Sequence, residues 1–158
     1  VPGLFVLCTV ALAVPAGIPS SFKINNTVRL SPYLASIWAP FEPDAIHRLV
    51  ASGKTVFVDV TADWCITCQV NKSLVINDID VLASLRTSNV VAMQADWTRA
   101  DDEIARYLAS FGRFGIPFNA IYGPNEPTGI VLSEILTKTA ILNALKNAGS
   151  KPGTQKDR

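Results

Sequence analysis

The chain has 158 residues, three cysteines, one histidine and a formal net charge of +1, long enough for one domain with a full core plus an appendage. No basic run is long enough to follow a phosphate backbone, which argues against a nucleic-acid partner. The apolar fraction of 49% is high for a domain in water, and the excess is concentrated at the start.

Residues 1–22, VPGLFVLCTVALAVPAGIPSSF, carry no charge, and the first charged residue is Lys23. Its continuous apolar part stands just at the lower limit of the ~17–25 residues that cross a bilayer as a helix. Ala11-Leu12-Ala13 would suit a signal-peptide cleavage site. Val1 in place of Met, the absence of a basic n-region, and Pro2 and Pro15 favour instead the end of a transmembrane helix. Both readings put the remainder outside the cytoplasm. A buried core helix is the weaker third reading, since nothing in the run is polar enough to face water. Cys8, inside it, reads as a small apolar residue.

Residues 23–40, KINNTVRLSPYLASIWAP, mix polar and apolar positions without a period. They read as a linker or N-terminal extension, with room for a short strand. A domain is expected over 41–149. A helix is predicted over Pro43–Ala51, with Gly53 just past its end and His47 as a surface residue. TVFVDVTA, Thr55–Ala62, is a β-branched run without alternation, the pattern of a central strand covered on both faces. The cysteine pair follows directly and should open a helix. Asn77 is the expected N-cap of a further segment, Ile79–Leu85. NVVAMQADWT supplies a second buried strand, with Trp97 in the core. Asp101, Asp102 and Glu103 suit the positive end of a helix whose apolar stripe is Ile104, Leu108 and Phe111. GIPFNAIYG and GIVLSEI read as strands joined by PNEPTG. A last helix should start near Thr137, turn Ile141, Leu142 and Leu145 inward, and stop at Gly149. Residues 150–158 read as a disordered tail. Strands separated by helices pair in parallel and the short final connection makes a hairpin. The expectation is an α/β domain with a mixed central sheet and helices on both faces.

Cys65-Ile66-Thr67-Cys68 has three readings. Structural zinc needs four ligands, and beyond this pair the chain offers only His47 and Cys8. A purely structural bridge would close too small a loop to restrain the unfolded chain. A redox pair fits the placement. At a strand-to-helix junction the first sulfur sits over unpaired N–H groups and the helix dipole, which stabilise thiolate, and the second is placed to resolve a mixed disulfide. Neither metal nor cofactor is then required. Asp59, between Val58 and Val60 in the central strand, should be desolvated, with a raised pKa; the bland alternative is a hydrated carboxylate at a strand end.

DVTADWCITCQVNK, followed by ADWTRADDEIARYLASFGRFGIPFNAIYGP, resembles the C-terminal thioredoxin-like domain of the DsbD/ScsB family of transmembrane thiol:disulfide interchange proteins. The resemblance implies a thioredoxin-like fold. It also implies Cys65 as the nucleophile, Cys68 as the resolving thiol, and Asp59 as the acid beneath the site, relaying a proton to Cys68; the helix-start placement itself makes Cys65 the expected exposed, acidic thiol and Cys68 the buried one. Pro117 after Ile116 matches the cis-proline whose neighbouring backbone pairs with an extended segment of the partner, and Trp64 should pack beside the site and shield it. One departure is Lys72, where DsbD-like domains often carry a second acid; pointed at the sulfurs it would favour thiolate, and otherwise it is a solvated helix residue. The implied function is a reductant domain facing the periplasm and tethered to the bacterial inner membrane. It would take electrons from a transmembrane domain of the same parent protein and pass them to a downstream periplasmic thiol protein. Two alternatives stand beside it: a free-standing membrane-anchored reductase, for example in cytochrome maturation, and a redox-inert binding module with a fixed disulfide.

Overall fold

A computed structural model describes residues 37–149. The expectations for residues 1–22, for most of 23–40 and for the tail 150–158 lie outside the described residues. Among those described, no helix is long and apolar enough to cross a membrane.

In chain order the elements are β1 (Trp38–Pro40), α1 (Pro43–Ala51), β2 (Thr55–Thr61) and α2 (Ile66–Asn71), which runs on as a π-helical segment, Lys72–Ile76. There follow α3 (Ile79–Leu85), β3 (Val90–Asp96), α4 (Asp102–Ser110), β4 (Phe118–Gly123), β5 (Glu126–Val131) and α5 (Lys138–Ala148). The strands form one sheet in the order β1-β3-β2-β4-β5. The β1–β3 and β2–β3 pairs are parallel, and the β2–β4 and β4–β5 pairs antiparallel. This is the mixed sheet expected from the order of elements.

Strand alternation divides the core between the two faces. Val56, Val58 and Val60 point to the side covered by α1 (Ala45, Ile46, Val50) and α4 (Ile104, Leu108). Phe57 points to the other side, against Ile76, α3 (Val81, Leu85) and α5 (Ile141, Ala144, Leu145, Ala148). Every residue of β2 is buried, as its unbroken β-branched run requires.

The structure corrects several boundaries. Trp38–Pro40 belongs to the sheet as an edge strand on β3, so the domain begins before residue 41. The N-cap of α3 is Asp78, whose carboxylate accepts from the Asp80 N–H at 2.9 Å. Asn77 instead ends the π segment; Asp78, one residue later, has the extended backbone that a cap needs. The hairpin turn is only Pro124-Asn125, and Glu126–Gly129 lie in β5 rather than in the connection. The strand accommodates Gly129 at φ +89, where an added Cβ would come within 2.6 Å of the Tyr122 ring. β3 is less buried than expected, because its neighbour β1 is three residues long.

Candidate active site

β2 ends at Thr61 and the chain turns back on itself, with the Cys65 N–H donating to the Ala62 carbonyl at 3.1 Å. Cys65 is the N-cap of α2, with extended backbone, and its Sγ accepts from the Cys68 N–H at 3.2 Å. The helix thus delivers one of its unpaired N–H groups to that sulfur. Cys65 and Cys68 are joined by a disulfide, S–S 2.00 Å and Cα–Cα 5.2 Å. Cys65 is 6% exposed and Cys68 3%. The expectation of an exposed Cys65 is therefore corrected: in the disulfide form its sulfur turns onto the helix end and is packed by Ala62 and Ile116.

Ile116 arrives from β4. Val60 pairs with Phe118 in the antiparallel β2–β4 ladder, so the residues before Phe118 continue past the end of β2, beside the cysteines. The Ile116–Pro117 bond is cis, the isomer implied by the resemblance. Trp64 stands next to Cys65 but does not shield it. It is 61% exposed, and its indole N–H donates to the Thr98 carbonyl at 3.3 Å, while the Asp63 N–H donates to Thr98 Oγ1 at 3.0 Å. With Trp97, Ala100, Phe114 and Ile116, Trp64 lines a shallow groove of about 450 Å³ beside the disulfide. Trp97 is half-buried against the α1/α4 core. His47 is exposed, as expected.

Asp59 shares its strand face with Phe57, the face that α2 and its continuation cover. It is 3% exposed. Its Oδ1 accepts from Asn119 Nδ2 at 2.9 Å and its Oδ2 from Gln94 Nε2 at 3.2 Å. Lys72 Nζ lies 4.0 Å from Oδ2. Lys72 follows Cys68 by one helical turn and shares its helix side, so the side of the helix that carries Cys68 is the side turned toward Asp59. Lys72 is therefore not a solvated helix residue. Burial raises the Asp59 pKa above 3.8; Lys72, then Asn119 and Gln94, pull it back without cancelling the rise. Sequence reading missed Gln94 and Asn119. The usable signal was their polar side chains in otherwise apolar strands, opposite Asp59 in both ladders.

A pH dependence follows from the raised value. The folded chain holds the Asp59 proton more tightly than the unfolded chain, so stability falls as pH rises from 3.8 through the folded-state pKa and then levels off. Asp59→Asn is expected to be more stable than the parent at neutral pH, with the gain vanishing below the unfolded value. Urea melts across a pH series measure this. A destabilised Asp59→Asn at neutral pH would mean that the ion pair with Lys72 is a net support.

Among the described residues no group of three or more His, Cys, Asp or Glu side chains is placed to hold a metal. The chemistry available is that of two sulfurs and a buried carboxylate.

Residues 38–124 match the family described as Thioredoxin-like. The chain is 31% identical over 116 residues to the thiol:disulfide interchange protein DsbD of Ralstonia nicotianae, covering 70% of this chain and 19% of that protein. It is 32% identical over 114 residues to DsbD of Colwellia psychrerythraea, covering 70% and 18%. It thus spans about a fifth of the length of these curated relatives. The C-terminal domain of Neisseria meningitidis DsbD in the oxidised form has the same fold, with a TM-score of 0.52 at 21% identity over 74% of this chain and 95% of that one. A thioredoxin from Thermus thermophilus gives 0.51 at 22% identity, over 69% and 83%.

Proposed function

Because the chain belongs to the thioredoxin-like family, we propose that it is a thiol:disulfide interchange domain that reduces oxidised thiol proteins of the bacterial envelope. The observation that carries this reading is the Cys65–Cys68 disulfide at the start of α2, with a helix N–H on the Cys65 sulfur and a buried carboxylate, Asp59, on the strand that leads into it. In the reduced form the Cys68 N–H and the helix dipole favour the Cys65 thiolate. That thiolate attacks a partner disulfide, forming a mixed disulfide and releasing one partner thiolate. Cys68 gives its proton to Asp59 and attacks the Cys65 sulfur, breaking the mixed disulfide and releasing the partner's second thiolate. The Cys65–Cys68 bond re-forms, and two electrons have passed to the partner. A dithiol of a membrane domain in the same parent protein would restore the reduced pair.

The backbone at Ile116 and Pro117, at the mouth of β4, is placed to pair with an extended segment of the partner. The groove between Trp64, Trp97 and Phe114 would take that segment's apolar side chains. Location on the periplasmic side of the inner membrane, tethered through residues 1–22, is supported by the uncharged N-terminal run and by likeness to DsbD.

Insulin reduction by dithiothreitol tests the reading: the chain should accelerate it, and an inert chain would instead be a binding module with a fixed disulfide. Direction is tested by equilibration against a glutathione series. No His lies between the cysteines to stabilise the reduced thiolate, and an ionised Asp59 disfavours it, while Lys72, 4.0 Å from that carboxylate, pulls the other way. The potential should fall nearer the roughly −270 mV of thioredoxin than the roughly −120 mV of strong oxidants. A value at the oxidising end would make the domain a disulfide donor.

A further inference from the structure

Lys72 lies where a solvated helix lysine was expected, yet it does not follow the solvent. Its Nζ is 4.0 Å from Asp59 Oδ2, and its side chain is 27% exposed against 4% for the acid. Asn71, the residue before it, fixes how this part of the helix is turned. Asn71 is 3% exposed; its Nδ2 donates to the Glu134 carbonyl at 2.7 Å and its Oδ1 accepts from the Leu136 N–H at 3.1 Å. With Asn71 locked to the loop before α5, the next residue, about 100° around the helix, is directed at the sheet.

We propose that Lys72 is a positioning residue for thiol–disulfide exchange: it holds the Asp59 carboxylate ionised behind Cys68, so that the carboxylate can accept the Cys68 proton at a lower pH than a lone buried acid could. The proposal rests on the exchange function above and adds to it the group that sets its pH range.

The groups facing Asp59 can be named from each packed element. From the continuation of α2 comes Lys72, one helical turn after Cys68 on the same helix side, from β3 the neutral amide of Gln94, and from β4 the neutral amide of Asn119. Asp96, further along β3 and exposed, also feels Lys72 and Arg99. The two amides stabilise the carboxylate as donors but carry no net charge, so they cannot match a cation in offsetting its burial. An exposed lysine–carboxylate pair would contribute little. Here one partner is buried, and removing the cation leaves an uncompensated charge that responds by binding a proton. The step affected is Cys68–SH + Asp59–COO⁻ → Cys68–S⁻ + Asp59–COOH. The Cys68 thiolate then displaces the partner sulfur from Cys65 to close the disulfide. The electrons come from the upstream dithiol that reduced the pair, and the Asp59 proton returns to water.

Lys72→Met and Lys72→Arg in the full chain test this with two readouts. One is titration of the Asp59 carboxyl followed by its ¹³C resonance, which reports ionisation whether or not the chain is active. The other is the pH–rate profile of insulin reduction. Lys72→Met should move the Asp59 titration to higher pH and lower the rate on the acid side about tenfold, the loss narrowing toward alkaline pH. Lys72→Arg should restore both readouts, and in an Asp59→Asn background Lys72→Met should no longer change the shape of the profile. An unmoved carboxyl titration in an active chain, or a rate lowered equally at every pH, overturns the role of Lys72. A parent chain inactive at every pH overturns the exchange reading itself.

Discussion

Replacing Cys65 with serine should take insulin reduction down to the uncatalysed background, a loss of about three orders of magnitude or more. The size of the effect follows from chemistry, because a hydroxyl at the helix start cannot attack a disulfide or hold an electron pair in an S–S bond. Cys68→Ser should behave differently. It keeps the sulfur that receives the helix N–H and lacks the resolving thiol, so it should accumulate a mixed disulfide with its substrate that dithiothreitol releases. Non-reducing electrophoresis after acid quench separates the two variants. If Cys65→Ser traps the adduct and Cys68→Ser does not, the roles of attacking and resolving sulfur are reversed.

Phe57→Ala should be the most damaging substitution for folding, at about 3–5 kcal/mol. Phe57 is fully buried in the strand at the centre of the sheet, among Ile76, Val81, Ile121 and Ile141, with its ring 6.0 Å from that of Trp38. Its neighbours belong to separate elements held by the sheet, so they cannot collapse far into the space left behind. Against a typical total of about 5–15 kcal/mol for a domain, the loss is large enough to leave part of the chain unfolded at 37 °C. Urea denaturation should show a lower midpoint with an unchanged slope. A cost under about 1 kcal/mol would mean that the face between β2 and α5 repacks freely.

Much of this architecture was legible in local patterns. The unbroken β-branched run Thr55–Thr61 identified the central strand, and Pro43 and Gly53 bracketed α1. Asp101 and Thr137 do cap their helices through side-chain hydrogen bonds. These signals are short-range, each set by the sterics and hydrogen bonding of a few consecutive residues. Errors gathered where two local signals compete. Asn77 and Asp78 are both good caps. Glu126-Pro127-Thr128-Gly129 is turn-like in composition, yet the pairing of Ile130 and Val131 with β4 draws it into β5.

The cysteine spacing, the strand before it and the buried acid could all be read from the sequence, since each lies within ten residues of Cys65. The surroundings that decide how they act could not. Asp59 meets Lys72, Gln94 and Asn119, partners separated by up to 60 residues; strand register brings the two amides and helix packing brings the cation. Lys72 has the composition of a surface residue, and only the lock of Asn71 onto the loop before α5 turns it inward. The low exposure of Cys65 depends on Ile116 arriving at the start of β4, far along the chain but on the strand next to β2. Pattern along the chain therefore picked out the cysteine pair and the acid before it. Tertiary contact decided their charge and access, because electrostatics and burial depend on distance in space and not on distance in sequence.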